Sequence, residues 1–174
     1  MSVMQDILVE HLEEIEFLWT QRQAALRSVE YQRHEVQEIE SRLAAHLEGV
    51  RVGGEQAIAL ASEMLTDDDP DIAFAGAWSL LHLDAGSVIL DSIAQSNLAG
   101  VSDALCQGPI DSIADQLTQI YENDSPQVAS AVGVPLAAHG QALPGNRLEQ
   151  LLCDDDPSVR RRGWTIVALQ SDTV

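Results

Sequence analysis

The residues whose type and spacing could do chemistry are two aspartate triplets, a few histidines, two cysteines and one arginine cluster. The triplets, Asp67 to Asp69 and Asp154 to Asp156, offer hard oxygen ligands in loops, the donor type that calcium prefers. An EF-hand also needs alternating ligands, a central glycine and a distal bidentate glutamate, and neither triplet is followed by that pattern. Both triplets run directly into a proline, so capping of a helix N-terminus is the role their position supports. His34-Glu35 is a lone His-Glu dipeptide, whereas dinuclear carboxylate iron sites draw ligands from four helices. His34 and Glu38 read instead as a surface pair one helical turn apart. His11 and His46 fall on the apolar edges of two helical patterns, which predicts half-buried imidazoles bonded across a helix pair.

Cys106 and Cys153 are too few for a disulfide framework and have no histidine or cysteine at metal-ligand spacing, so both are expected as small buried or half-buried thiols. Arg160, Arg161 and Arg162 follow the second acidic triplet, and Asp154 to Asp156 are their expected partners. The functional alternative for that cluster is a docking patch for an acidic groove. No nucleophile elbow, P-loop, zinc-protease helix or dinucleotide fingerprint occurs, and Gly49 and Gly53 match a membrane-helix motif only in spacing. Catalysis has no visible address, and neither a cofactor nor a metal is expected.

The elements that position these residues follow from composition. A chain of 174 residues predicts one domain with a real core. Nine basic residues, every one an arginine, stand against 28 acidic ones, for a net charge of −19. Nucleic acid is excluded as a partner, because phosphate binding needs clustered cations, whereas a basic protein would be drawn in. An apolar share of 45% is too high for a disordered acidic tail, and 4% aromatic residues with abundant Ala, Leu, Ile and Val suits packed helices. The N-terminal stretch is acidic and amphipathic, no long apolar run occurs, and a cytoplasmic protein without a membrane anchor is expected.

Leu8, Leu12, Ile15, Trp19 and Leu26 mark one amphipathic helix, and Val36, Ile39, Leu43, Leu47 and Val50 mark a second. Ser28 is the predicted cap between them, an uninterrupted helix being the alternative, and Gly53-Gly54 ends the pair. Beyond Gly54 a punctuation mark recurs at Asp69-Pro70, Ser125-Pro126 and Asp156-Pro157. Proline at the first helical position lacks an amide hydrogen that would go unpaired anyway, and the preceding Asp or Ser can cap the free N–H groups. Each mark therefore starts a helix, preceded by a second amphipathic stretch at Ala57 to Leu65, Ile110 to Tyr121 and Leu148 to Leu152. Pro70 and Pro126 are 56 residues apart and Pro126 and Pro157 are 31 apart, so a degenerate copy belongs between the first two. Asn97 to Gln107 fits it. Pro135 should kink its helix, and Gly76 and Gly163, each six residues after a proline, should permit close helix approach. The prediction is an all-α chain: an N-terminal acidic helical hairpin over 1–53, continuous with about three and a half helix-pair repeats over 54–174, forming an α-solenoid.

The segments DDDPDIAFAGAWSLLHL and DDDPSVRRRGWTIVAL resemble HEAT-like repeats of the short kind also found in phycobilisome-lyase proteins. More specifically, HLEEIEFLWTQRQAAL and SRLAAHLEGVRVGGEQA are similar to an uncharacterised bacterial family of HEAT-repeat proteins encoded in type VI secretion gene clusters. His11, Glu14, Phe17, Leu18, Trp19 and Arg22, then Leu43, His46, Leu47, Gly49, Arg51 and Gly53, carry that resemblance. Members of the family are about twice as long or more, so the resemblance makes this chain the N-terminal portion of such a protein. It implies a setting in type VI secretion, as an immunity protein for an effector toxin or as an adaptor that loads an effector.

The helix that begins at Pro157 is expected to present Val159, Trp164, Val167 and Leu169 at an open end of the array, because the chain stops at Thr173-Val174 before a polar cap. That end would bind a partner or a second copy of the chain. The overall expectation is a non-catalytic module that binds a basic protein, with Trp164, Asp67, Asp68, Asp154, Asp155, Glu13, Glu14 and Glu16 as the binding residues. A lyase-type enzyme on the same scaffold is the rival.

Overall fold

The computed structural model describes residues 3 to 171. Among them all regular structure is helical: α1 (Val3–Arg27), α2 (Arg33–Val52), α3 (Glu55–Met64), α4 (Pro70–His82), α5 (Gly86–Ser92), α6 (Leu98–Gln107), α7 (Ala114–Asn123), α8 (Pro126–Ala138), α9 (Gly145–Leu152) and α10 (Pro157–Ser171). Thr173 and Val174 lie outside the described residues. No described helix is long and apolar enough to cross a membrane.

The first two helices follow their apolar period except at Leu26, which lies exposed in the last turn of α1. Leu8, Leu12, Ile15 and Trp19 of α1 are buried, as are Ile39, Leu43, Leu47 and Val50 of α2. The cross-pairs His11–His46, Glu14–Arg42 and Arg22–Glu40 run in opposite order along the two helices, which are therefore antiparallel. Their junction differs from expectation. Ser28 does not cap α2, because its hydroxyl accepts the Glu30 N–H inside the turn (3.2 Å). Gln32 takes the cap position, and its N–H donates to the Glu35 carboxylate at 2.8 Å, the reciprocal bond of a capping box.

Pro70, Pro126 and Pro157 each open a helix. Asp69 Oδ1 accepts the Asp71 N–H (2.9 Å), Ser125 Oγ accepts the Val128 N–H (3.4 Å) and Asp156 Oδ1 accepts the Ser158 N–H (2.8 Å). Without a proline, Asn97 Oδ1 does the same for Ala99 and Gly100, so the degenerate copy begins where the spacing required. The caps recur at intervals of 28, 28 and 31 residues (69 to 97, 97 to 125, 125 to 156). Helix α5 begins 11 residues before the Asn97 cap, as α7 begins 11 before Ser125 and α9 begins 11 before Asp156 (86 to 97, 114 to 125, 145 to 156).

The capped helices pack in succession, α4 on α6, α6 on α8 and α8 on α10, while α1 covers the free side of α4. The helices before them, α3, α7 and α9, each lie against the capped helix that follows. Small residues set these distances. A Cβ on Gly76 would stand 2.5 Å from the Ala61 carbonyl oxygen of α3, and one on Gly100 would strike the α4 backbone at Pro70 O and Phe74 N. Gly163 fits more loosely, its nearest neighbour being the Leu152 side chain at 3.2 Å.

Pro135 lies inside α8, which continues through it as one helix to Ala138. Proline cannot donate to the carbonyl four residues back. That carbonyl, Ala131 O, accepts the hydroxyl of the buried Ser102 from α6 at 2.7 Å. A neighbouring helix thus supplies the hydrogen bond that proline removes.

Candidate functional site

Three elements bring part of the acidic set together. Thr20 Oγ1 on α1 donates to Asp71 Oδ2 at the start of α4 (2.6 Å), which fixes α1 beside the α3–α4 turn. Glu13 and Glu16, one turn apart on α1, thereby face Glu63 on α3 and Asp67 in the turn around a surface hollow of about 330 Å³. Its floor is apolar, with Leu12 buried and Leu60, Met64 and Ile72 partly so.

Its electrostatics follow from that packing. The Glu16 carboxyl is held above its ordinary range, first by partial burial and then by the negative charges of Asp69, Asp71, Glu13 and Asp67. The ion pairs among the described residues are Arg22–Glu40 (2.8 Å), Arg42–Glu14 (3.7 Å) and Arg51–Glu48 (2.7 Å), so no described arginine reaches Glu13, Glu16, Glu63 or Asp67. The hollow combines an aliphatic floor with a rim of carboxylates that no described cation balances.

The remaining expected binding residues lie elsewhere. Glu14 points along the α1–α2 seam toward Arg42. Asp68 is exposed in the α3–α4 turn, where its carbonyl and that of Asp67 accept Asn97 Nδ2 (3.0 and 3.1 Å). Asp154 and Asp155 belong to the α9–α10 turn, and their carbonyl oxygens accept Arg160 Nη1 (2.6 and 2.9 Å). Arg160 does return to the acidic turn, but to its backbone. Trp164 on α10 is 62% exposed. Val159, expected beside it at the open end, is instead fully buried, because α10 turns that residue into the core. Glu63 carried no signal in the sequence; α3 had first to be docked on α4 to place it.

The triplets show capping geometry. Asp67 Oδ1 accepts the Asp69 N–H and Asp154 Oδ1 the Asp156 N–H, both at 2.9 Å. Among the described residues no three His, Cys, Asp or Glu side chains are grouped to hold a metal ion. His11 and His46 meet across the helix hairpin with Nδ1 atoms 3.1 Å apart, so one imidazole donates and the other accepts. Burial first, and His11 next, lower the His46 pKa. Cys106 is half-buried, its thiol pushed up to about 12 by burial and by Asp103, whereas Cys153 is exposed at the end of α9, contrary to expectation. There the helix cap turns the side chain outward. Compared with family models, curated proteins and solved structures, the chain finds no match in any of the three.

Proposed function

We propose that this protein is a non-catalytic binding module that engages a basic protein through the hollow between α1, α3 and α4. The observation that carries the reading is the pairing of an apolar floor with the unbalanced carboxylates of Glu13, Glu16, Glu63 and Asp67. An arginine or lysine side chain has the matching form: its methylene stem covers apolar surface while its head reaches carboxylates. A net charge of −19 would steer such a partner toward the chain and repel acidic competitors.

The scaffold in this reading is an α-solenoid of HEAT-like helix pairs, supported by the recurring caps and the serial packing of α4, α6, α8 and α10. A type VI secretion setting, with the module as an immunity protein or as an effector-loading adaptor, rests on the resemblance carried by the residues from His11 to Gly53. The two roles separate by assay: an immunity protein abolishes the toxicity of its partner, and an adaptor does not.

The test is capture of proteins from a lysate of the source cell with the wild-type chain and with a Glu13→Gln, Glu16→Gln, Glu63→Gln variant. A basic protein retained at low salt, released at high salt and lost with the variant is expected. Equal retention by both chains would refute the assignment of the hollow.

A further inference from the structure

His11 of α1 and His46 of α2 meet across the N-terminal hairpin by the same ring atom. Their Nδ1 atoms stand 3.1 Å apart with the ring planes crossing at 69°, so one proton lies between two imidazole nitrogens. The helices that carry them are fixed on either side of the pair, since Leu8 and Leu12 of α1 and Leu43 and Leu47 of α2 are all buried. The His11 ring also lies over Gly49 of α2, where an added Cβ would strike the imidazole. Glycine at that position is what lets the ring reach across the seam. Both histidines are half-buried and keep part of their surface in solvent. The separation of the two nitrogens has a chemical meaning beyond the hydrogen bond. Imidazole nitrogens bind zinc at about 2.0–2.1 Å, so two of them stand about 3.3–3.4 Å apart on a tetrahedral ion and about 2.9 Å apart where the ligands meet at a right angle. The 3.1 Å between His11 and His46 lies between those two values.

We propose that His11 and His46 form a two-histidine site for a divalent transition-metal ion of the zinc, copper and nickel group, bound through both Nδ1 atoms and completed by water. The ion takes the place of the proton between the rings. That proton passes by way of solvent to Nε2 of the ring that donated it, so both rings stay neutral, both carry N–H at Nε2, and no proton is released overall. The donor set selects the metal: imidazole suits zinc, copper and nickel, whereas magnesium and calcium take oxygen ligands. Among the described residues no third ligating side chain joins the pair, so water fills the remaining positions and the ion is exchangeable. Charge supports the same reading. Glu14 and Glu10 on α1 act on His46 in the sense that favours positive charge, and Arg42 on α2 opposes them while itself engaged by Glu14 at 3.7 Å. Burial first, and His11 next, favour the neutral imidazole of His46, which is the form that ligates. A net charge of −19 gathers cations around the chain.

Zinc chloride is titrated into the isotopically labelled full chain while the imidazole nitrogen resonances are followed. Saturable movement of the Nδ1 signals of both His11 and His46 is expected, ending with both rings in the Nε2–H form, and magnesium chloride at the same concentrations should leave them in place. In the His46→Gln variant, with its fold checked by the amide spectrum, the His11 response should weaken by about ten-fold or more, since outer-shell partners of a metal ligand are alone worth that much. Zinc should also raise the unfolding midpoint of the wild-type chain and not that of the variant. Where the variant does not fold, the wild-type titration decides by itself. Absence of saturable change at the two Nδ1 atoms up to about 1 mM zinc, a binding free energy of only about −4 kcal/mol, would overturn the proposal. So would ligation through Nε2, an equal response to magnesium, or an undiminished His11 response in folded His46→Gln.

Discussion

Replacing Ser102 by alanine should cost about as much as the upper end of an ordinary hydrogen-bond loss, and a second substitution should erase most of the cost. Ser102 Oγ donates to Ala131 O at 2.7 Å, within a buried contact between α6 and α8. Ala131 O has no helical donor because residue 135 is proline. Ser102→Ala removes no carbon atom, so the cavity contribution is small. What remains is a buried carbonyl without a partner, which costs about 1–3 kcal/mol. Because a carbonyl has two lone pairs and some latitude, the lower half of that range, about 1.5 kcal/mol, applies. At about 2–4 °C per kcal/mol for a chain of this size, the midpoint of thermal unfolding falls by about 3–6 °C. Pro135→Ala restores the amide donor four residues on, so in that background Ser102→Ala should cost less than about 0.5 kcal/mol. The cycle is read by urea unfolding followed by circular dichroism, with a coupling of about 1 kcal/mol expected. Strictly additive losses would refute the account of how α8 accommodates its proline.

Gly100→Ala should destabilise despite the better helix propensity of alanine, because its Cβ would strike the Pro70 carbonyl and the Phe74 amide, neither of which can rotate away. Overpacking of about 3 kcal/mol against about 1 kcal/mol of propensity leaves a net loss of about 2 kcal/mol, measurable by the same unfolding curves. His46 and His82 both have lowered pKa values, so the unfolded chain binds protons more readily than the folded one. Their stabilising contribution is full above the ordinary histidine value of about 6.5 and is lost as pH falls below it. Melting temperature should therefore decline below pH 6.5, and more shallowly in the double variant His46→Gln, His82→Phe. A thiol reagent at pH 8 should label Cys153 quickly and Cys106 only after unfolding, since burial holds the Cys106 thiol near 12; rapid native labelling of both would contradict the burial of α6.

Local chemistry was legible and long-range placement was not. A proline preceded by Asp or Ser starts a helix for reasons contained within four residues, and α4, α8 and α10 begin at Pro70, Pro126 and Pro157 as that chemistry requires. Asn97 could be found because the interval pointed to it. Gln32 could not, since glutamine is an uncommon cap and Ser28, a better one by type, sits four residues earlier. The pairing of His11 with His46 was readable from two apolar edges, and the exposure of Trp164 from its position. Val159 misled because the α10 apolar stripe is narrow: only Val159, Gly163 and Ile166 are buried there. Of the acidic hollow, Glu13, Glu16 and Asp67 stood out by charge, but nothing in the sequence says that the α3–α4 turn lies beside α1. The Thr20–Asp71 bond, 51 residues long in sequence, makes that junction.

The most direct test of the central claim is an amide chemical-shift map of the labelled chain during titration with a short amphipathic peptide carrying several arginines. The account predicts shifts clustered on residues 9–16 of α1, residues 60–67 around the end of α3 and residues 69–72 at the start of α4, weakened by salt and absent in the Glu13→Gln, Glu16→Gln, Glu63→Gln variant. Shifts spread evenly over all acidic surfaces, or centred on the α9–α10 turn, would contradict it.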